Sequence, residues 1–451
     1  MKDLTQGNIY KTYFLFALPL MLAGLLAQAY SIVDTMIAGR FLGEEGLAAI
    51  GASSELITLS SSIFWGLMAG LGMRTASLFG AKEYARLRNN LLATLLMLLG
   101  CMLLLSLLLV IFREPIFDFL RVEEAVRPEA AKYYTVYLLG FFLILLNDFG
   151  LCTLNALGMS GYPFKMSLLS MVLNVGGNLL AVTVLDLGVM GLAFASLFAA
   201  LVVDVFYFFK IRRIFAEMRL SSDTPFVFTK EDLKRSLVYA LPPGAQQGVM
   251  YIASFLILPV INGIGGAATA AYVVIMKMYG IVAAIFENSS KTISNYVAQS
   301  VGAKKHYLLP RSIRVGLLQA LTLSTPFVLF ITLFPHAVAG IFFPEGFSGE
   351  ALDYAVLFAR TCLPFILFNV VNNLFHSFFR GLAAGGLLLI STAVGSVSRL
   401  IFTYVFIQNG IKALFYGFMG GWITEAIFCF ILYFLVVRRR IRKESAKLFA
   451  S

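Results

Sequence analysis

Residues 89–112 read NNLLATLLMLLGCMLLLSLLLVIF. From Asn89 to Phe112 there is no charge and no proline. A helix rises about 1.5 Å per residue, so about 20 apolar residues span the hydrocarbon core of a bilayer. A run this long and this apolar reads as a transmembrane helix. Working outward, similar runs bounded by charges or Gly/Pro signals lie near 14–38, 47–73, 133–157, 164–186, 188–209, 237–262, 267–300, 314–336, 354–379, 386–408 and 413–437. With 89–112 they make twelve. Helices are expected throughout, because backbone facing lipid must satisfy its own hydrogen bonds.

Composition agrees. Of 451 residues, 59% are hydrophobic and 13% charged, and mean hydropathy is +0.86. Soluble domains are nearer 45–50% apolar and 25% charged. Twelve spans take roughly 240 residues and leave about 16 per connection, too few for a sizeable soluble domain. The net charge of +11 therefore reads as membrane topology rather than nucleic-acid binding. Cys101, Cys152, Cys362 and Cys429 lie in apolar stretches without paired spacing, and three histidines are scattered. Neither a disulfide framework nor a metal site is expected. No catalytic grouping or nucleotide loop is visible, so an enzyme is not expected, and transport would draw on an ion or solute gradient. Ala27-Gln28-Ala29 has the look of a signal-peptidase site, yet the apolar run continues through Ile37, too far for a signal peptide.

Lys and Arg set the orientation. With a cytoplasmic N-terminus, 24 of the 35 fall inside, 6 outside (Arg40, Arg113, Arg121, Arg127, Lys132 and Lys412), and the rest in or beside spans. A multi-pass protein of the cell (inner) membrane with both termini cytoplasmic is expected.

The chain also repeats. Ala17-Leu18-Pro19 recurs as Ala240-Leu241-Pro242, Gly80-Ala81-Lys82 as Gly302-Ala303-Lys304, and Gly188 as Gly410, at shifts of 222–223 residues. A shift of six spans preserves orientation. The expectation is an all-α membrane protein with twelve helices in two six-helix lobes, related by a pseudo-two-fold along the membrane normal. The N-lobe covers 1–220 and the C-lobe 221–451, joined by a polar link that includes Ser221-Ser222-Asp223-Thr224-Pro225. A channel would more often assemble several copies around one pore.

Charges inside a membrane are expensive and ask for a reason. Asp34 stands in span 1, one turn from Tyr30 and above Pro19, a helix-bending position. It can take a proton or cation, or mark the outer end of the span. Asn174 and Asn178 share a face of span 5, and Ser196 in span 6 overlaps them in depth. Asn147 and Asp148 lie in span 4. Such residues serve either as a site or as interhelical hydrogen bonds. Glu287 and Lys291 are spaced to pair. Arg399 falls at the repeat position of Asn178, and with them it is a candidate for charge pairing inside the lobe.

Leu4-Thr5-Gln6-Gly7-Asn8-Ile9, Phe16-Ala17-Leu18-Pro19-Leu20, Ile32-Val33-Asp34-Thr35-Met36-Ile37-Ala38-Gly39-Arg40-Phe41-Leu42-Gly43 and Leu47-Ala48-Ala49-Ile50-Gly51 resemble the opening of bacterial multidrug and toxic compound extrusion (MATE) transporters. The Gly-Ala-Lys turns and Leu187-Gly188-Val189-Met190-Gly191-Leu192-Ala193 are similar to that family too. The resemblance implies a monomeric antiporter that exports amphipathic, often cationic, small molecules in exchange for H⁺ or Na⁺, with no other cofactor. It assigns Asp34, Asn174 and Ser196 to cation or proton coupling, and Tyr30 and Asn147 to the substrate cavity, with Asp148 a further titratable candidate. Asn178 joins the coupling group as a departure, since the family often has Asp there. Losing that carboxylate weakens a Na⁺ site, because hard cations prefer charged oxygens. Gln246-Gln247 replaces a span-7 Glu of one branch. A lipid-linked oligosaccharide flippase of the same wider superfamily is the alternative, against which the few span cations argue.

Overall fold

The computed structural model describes residues 1–119, 122, 124–218, 229–343, 349–439 and 441. The polar link at 221–225 lies outside the described residues, as do Arg121, Arg219, Arg440 and the basic tail 442–451. Every regular element among the described residues is helical. We number the spans α1 (Ile9–Gly43), α2 (44–80), α3 (Tyr84–Ile111), α4 (Arg127–Leu139 and Phe141–Ala156), α5 (Gly161–Thr183) and α6 (Gly188–Glu217). They continue as α7 (Lys230–Ile264), α8 (Gly266–Gly302), α9 (Leu309–Leu333), α10 (Glu350–Thr361 and Leu363–Gly381), α11 (Gly385–Val405) and α12 (Lys412–Val437). Among the described residues nine helices suffice alone to cross a membrane, and two pairs, bent by 48° in α4 and 42° in α10, bring the number to eleven. With α2 this gives an all-α membrane protein of twelve spans, six before the link and six after it.

Glycine makes the break between α1 and α2. The helix runs through Pro19 with helical dihedrals and is interrupted only at Gly43 (φ 69°, ψ −167°). That left-handed φ strains a residue with a Cβ, and glycine adopts it freely.

The sequence repeat reappears in the backbone. Lys82 and Lys304 take left-handed φ of 59° and 58°, and Gly188 and Gly410 take 57° and 60°. At the first lysine turn Glu83 N–H donates to Leu78 O at 3.0 Å, and at the second Lys305 N–H donates to Ser300 O at 2.8 Å. Both bonds close the carbonyl end of a helix with the same 6→1 link. A non-glycine residue in this conformation costs about 1 kcal/mol, so its occurrence at both repeat positions marks the two turns as one motif.

The chain forms two compact units. The first comprises Met1–Lys2 and Leu25–Ala240, the second Asp3–Gly24 and Leu241–Ser451. Thus the opening turns of α1 belong with the second unit, and those of α7 with the first. In the second unit Tyr13 lies edge-on to Tyr296, with ring centroids 5.1 Å apart, and Leu4 N–H donates to Gln299 Oε1 at 2.8 Å. Asp3 anchors this end, accepting from Thr5 N–H and Oγ1 and from Gln6 Nε2. Burial pushes its carboxyl up, but the Thr5 and Gln6 hydrogen bonds outweigh that and hold it below the usual 3.8. The anchor is therefore complete above that value and fades as pH falls through the lowered one.

In the first unit α5 and α6 meet through small residues. A Cβ on Gly191 would lie 2.7 Å from Ala181 Cβ, and one on Gly177 would lie 2.9 Å from Ala195 Cβ. Without a hydrophobic drive between helices in lipid, such close approach supplies the packing. Gly177→Leu is expected to pry α5 from α6 and cost about 1–3 kcal/mol. A fall in the thermal unfolding midpoint of the detergent-solubilised protein checks this. An unchanged midpoint would mean the helices are not held by this contact.

Candidate functional site

The α5–α6 contact positions a chain of polar side chains in the first unit. Asn178 of α5 is fully buried and donates through Nδ2 to Asp34 Oδ1 of α1 at 2.5 Å, and to Asn174 Oδ1 at 2.8 Å. Asn174 Nδ2 donates to Ser196 Oγ of α6 at 2.8 Å. The Ser196 hydroxyl spends its proton on Leu192 O at 3.0 Å. It is therefore an acceptor for the Tyr30 hydroxyl at 3.3 Å. The five expected residues Asp34, Asn178, Asn174, Ser196 and Tyr30 thus form one continuous line across three helices.

The line contains one carboxylate. Asn178 Oδ1 is buried and has no donor among the described residues. An unpaired buried carbonyl oxygen costs about 1–3 kcal/mol. Beside a carboxylate it is also a ready acceptor for a proton-bearing group or a ligand for a cation.

Asn147 and Asp148 of α4 take a different partner. They face Asp204 of α6, with Tyr207 on the same helix beside the two carboxylates. Tyr137 of α4 stands near both Asp34 and Asp148. Asp204 thus belongs to a second acidic group with Asp148.

The second unit holds a network that includes Gln246 and that the sequence reading did not assemble. His376 Nε2 of α10 is 3.0 Å from Glu425 Oε1 of α12, with both side chains about nine-tenths buried. Gln246 Nε2 of α7 is 3.0 Å from His376 Nδ1 and 3.1 Å from Thr392 Oγ1 of α11. With a Gln246 amide proton directed at Nδ1, the imidazole carries its own proton on Nε2; Glu425 Oε1 lies close to it but has no hydrogen-bond donor among the described residues. Asn372 Nδ2 holds Glu425 Oε2 at 3.2 Å, and Arg380 Nη2 donates to Gln246 Oε1 at 3.3 Å. The signal was periodic. Asn369, Asn372, His376 and Arg380 recur at three- and four-residue spacing, a polar stripe on one helix face.

The expected Glu287–Lys291 pair does not form. Lys291 Nζ turns back three residues to Asn288 Oδ1 at 2.8 Å, and no carboxylate lies within 4 Å of it among the described residues. The neutral amide one position nearer offers a shorter reach than the i−4 glutamate. Arg399 likewise has no carboxylate within that distance among the described residues. Its guanidinium lies over the Phe418 ring, 4.2 Å from the centroid.

This arrangement of twelve helices in two repeated halves meets a family pattern over most of the chain. Residues 19–180 and 242–405 each match MatE. The chain belongs to the MATE family. Its two matched segments correspond to the two halves of the repeat. The chain is 24% identical over 349 residues to the probable multidrug resistance protein YoeA of Bacillus subtilis (strain 168), covering 76% of this chain and 75% of that one. It is 23% identical over 366 residues to an FAD transporter of Shewanella oneidensis, covering 79% and 80%. A solved structure of a multidrug resistance MATE family transporter of the MOP superfamily, in an outward-facing conformation, superposes with a TM-score of 0.88 at 21% identity, covering 98% of both chains. That likeness carries the fold: a MATE protein's twelve helices in two six-helix lobes.

Proposed function

We propose that this MATE protein is a secondary antiporter that exports amphipathic, often cationic, small molecules in exchange for entering H⁺ or Na⁺, and not an enzyme. It works as a monomer in the cell (inner) membrane with both termini cytoplasmic. The observation that carries the reading is the Asp34–Asn178–Asn174–Ser196–Tyr30 line. One titratable group joined to neutral hydrogen-bonding partners can change charge without leaving a second charge unpaired. A single carboxylate suits H⁺ better than Na⁺, because hard cations prefer charged oxygens. Proton uptake by Asp34 would alter its bond to Asn178, and only a ligand that favours one of two states can drive the change between them. The multidrug name of one relative supports a drug-like solute. The family match does not favour the flippase alternative.

The test is ethidium transport in proteoliposomes under a pH gradient or a Na⁺ gradient, imposed separately. Uphill movement is expected with the pH gradient and should collapse on adding a protonophore. Transport driven by neither gradient would sink the antiport reading.

A further inference from the structure

Arg399 sits about two-thirds along α11, roughly 21 Å from its start at Gly385 on a rise of 1.5 Å per residue. Arginine keeps its charge in proteins. A cation this deep in a span is costly unless something answers it. Among the described residues its side-chain partners are neutral hydroxyls: Nη1 reaches Ser254 Oγ of α7 at 3.4 Å, and Tyr272 of α8 also bonds the guanidinium. Nε and Nη2 are shielded from solvent and have no acceptor among the described residues. Those two nitrogens form one edge of the guanidinium fork, the edge that grips a carboxylate or phosphate with two parallel hydrogen bonds. Glu425, the nearby span acid on α12, is taken up by His376 and Asn372.

The surroundings are aromatic. The guanidinium is stacked over Phe418. One turn on, Trp422 lies 5.2 Å from Phe418 and stacks on Tyr279 of α8 at 6.2 Å and 13°. Tyr272, seven residues before Tyr279 and so on the same helix face, also adjoins Arg399. Glycines make the room. A Cβ on Gly421 would lie 2.9 Å from Arg399 Cβ, and one on Gly417 would meet Thr403 Oγ1 at 2.0 Å and Arg399 O at 3.0 Å. α12 thus presents bare backbone to the base of this arginine and aromatic rings to its head.

We propose that Arg399, with Phe418, Trp422, Tyr272 and Tyr279, forms a binding site for an amphipathic solute bearing an oxyanion, a carboxylate or phosphate, next to an aromatic ring. The proposal rests on the export reading and extends its substrate class from cations to aromatic anions. The unpartnered Nε–Nη2 edge takes the oxyanion, and the aromatic wall takes the ring.

The probe is fluorescein, a carboxylate-bearing aromatic dye, with ethidium as the cationic comparison. Binding to the purified full-length protein is read by quenching of Trp422, in a Trp65→Phe background because the chain has two tryptophans. Saturable fluorescein binding is expected, with Kd raised at least tenfold by Arg399→Gln and also by Arg399→Lys, which keeps the charge but not the fork. In proteoliposomes the ratio of fluorescein to ethidium transport should fall at least tenfold in Arg399→Gln. No saturable binding to the unsubstituted Arg399 protein would overturn the proposal, and this measurement stands even if Arg399→Gln fails to fold. Equal loss of both dyes in a folded variant would also overturn it, by showing a structural role. So would competition by phosphatidylglycerol vesicles absent with phosphatidylcholine, which would assign the edge to a lipid headgroup. Equilibrium binding needs no gradient, so failed ethidium export would count against the antiport reading and leave this one to be decided separately.

Discussion

Asp34→Asn should abolish coupled transport while leaving the fold intact. Gradient-driven ethidium transport is expected to drop at least about tenfold, the equivalent of about 1.4 kcal/mol or more. The reason is local. The replacement keeps an oxygen where Asn178 Nδ2 donates at 2.5 Å, so the line through Asn174 and Ser196 survives. What disappears is the ability to change charge, and with it any proton affinity that differs between the two states of the carrier. The same substitution should shift the unfolding midpoint by no more than a few degrees, because one hydrogen bond to a charged group becomes one to a neutral group. Transport is measured in proteoliposomes under an imposed pH gradient, with the melting curve taken on the same preparation. Full gradient-driven transport by the variant would reduce the Asp34 line to helix glue. Loss of transport together with a collapsed melting curve would instead assign Asp34 to folding.

The twelve spans and the two-fold repeat were legible because hydrophobic length and turn chemistry are local. Lys82 and Lys304 close the same Gly-Ala-Lys triplet 222 residues apart, and the backbone gives both the same left-handed turn. Partner choice was less legible. The Asp34–Asn178 bond joins residues 144 apart, and periodicity on each helix says which face is polar but not which faces meet. Depth along the span placed Asn174, Asn178 and Ser196 at one level, and the chain of hydrogen bonds required α5 and α6 to touch through Gly177 and Ala195. The assignment of residues 3–24 to the second unit was invisible for a related reason. In a helix apolar all round, lipid-facing and protein-facing leucines look alike. His376 was hidden by a count, since three scattered histidines make no metal site, yet one is enough to meet a carboxylate. Glu287 and Lys291 show the opposite failure. The i,i+4 rule describes two side chains that have only each other, and here Asn288 offered Lys291 a closer acceptor.

The His376–Glu425 contact should dominate the stability of the second unit, and its two halves should not be worth the same. His376→Leu takes the imidazole from beside a buried carboxylate that is bonded by Asn372, and breaking a buried charged contact this way costs about 3–5 kcal/mol. Glu425→Leu strands an imidazole N–H, a smaller loss of about 1–3 kcal/mol. The double variant replaces both by apolar groups of similar reach and should recover most of the loss, since the desolvation that burdens each single variant is then absent from both sides. Crowding reinforces the point. A Cβ on Gly395 of α11 would lie 2.5 Å from Glu425 Oε2, so the carboxylate is packed against bare α11 backbone on that side. Thermal unfolding of the three variants in detergent gives the cycle. The expected order is His376→Leu least stable, Glu425→Leu intermediate, and the double variant near the unsubstituted protein. Strictly additive losses would show that the two side chains are neighbours without being coupled, and the α10–α12 contact would then rest on Phe375, Tyr433 and the surrounding aromatic core, where Phe375 and Tyr433 have ring centroids 5.9 Å apart.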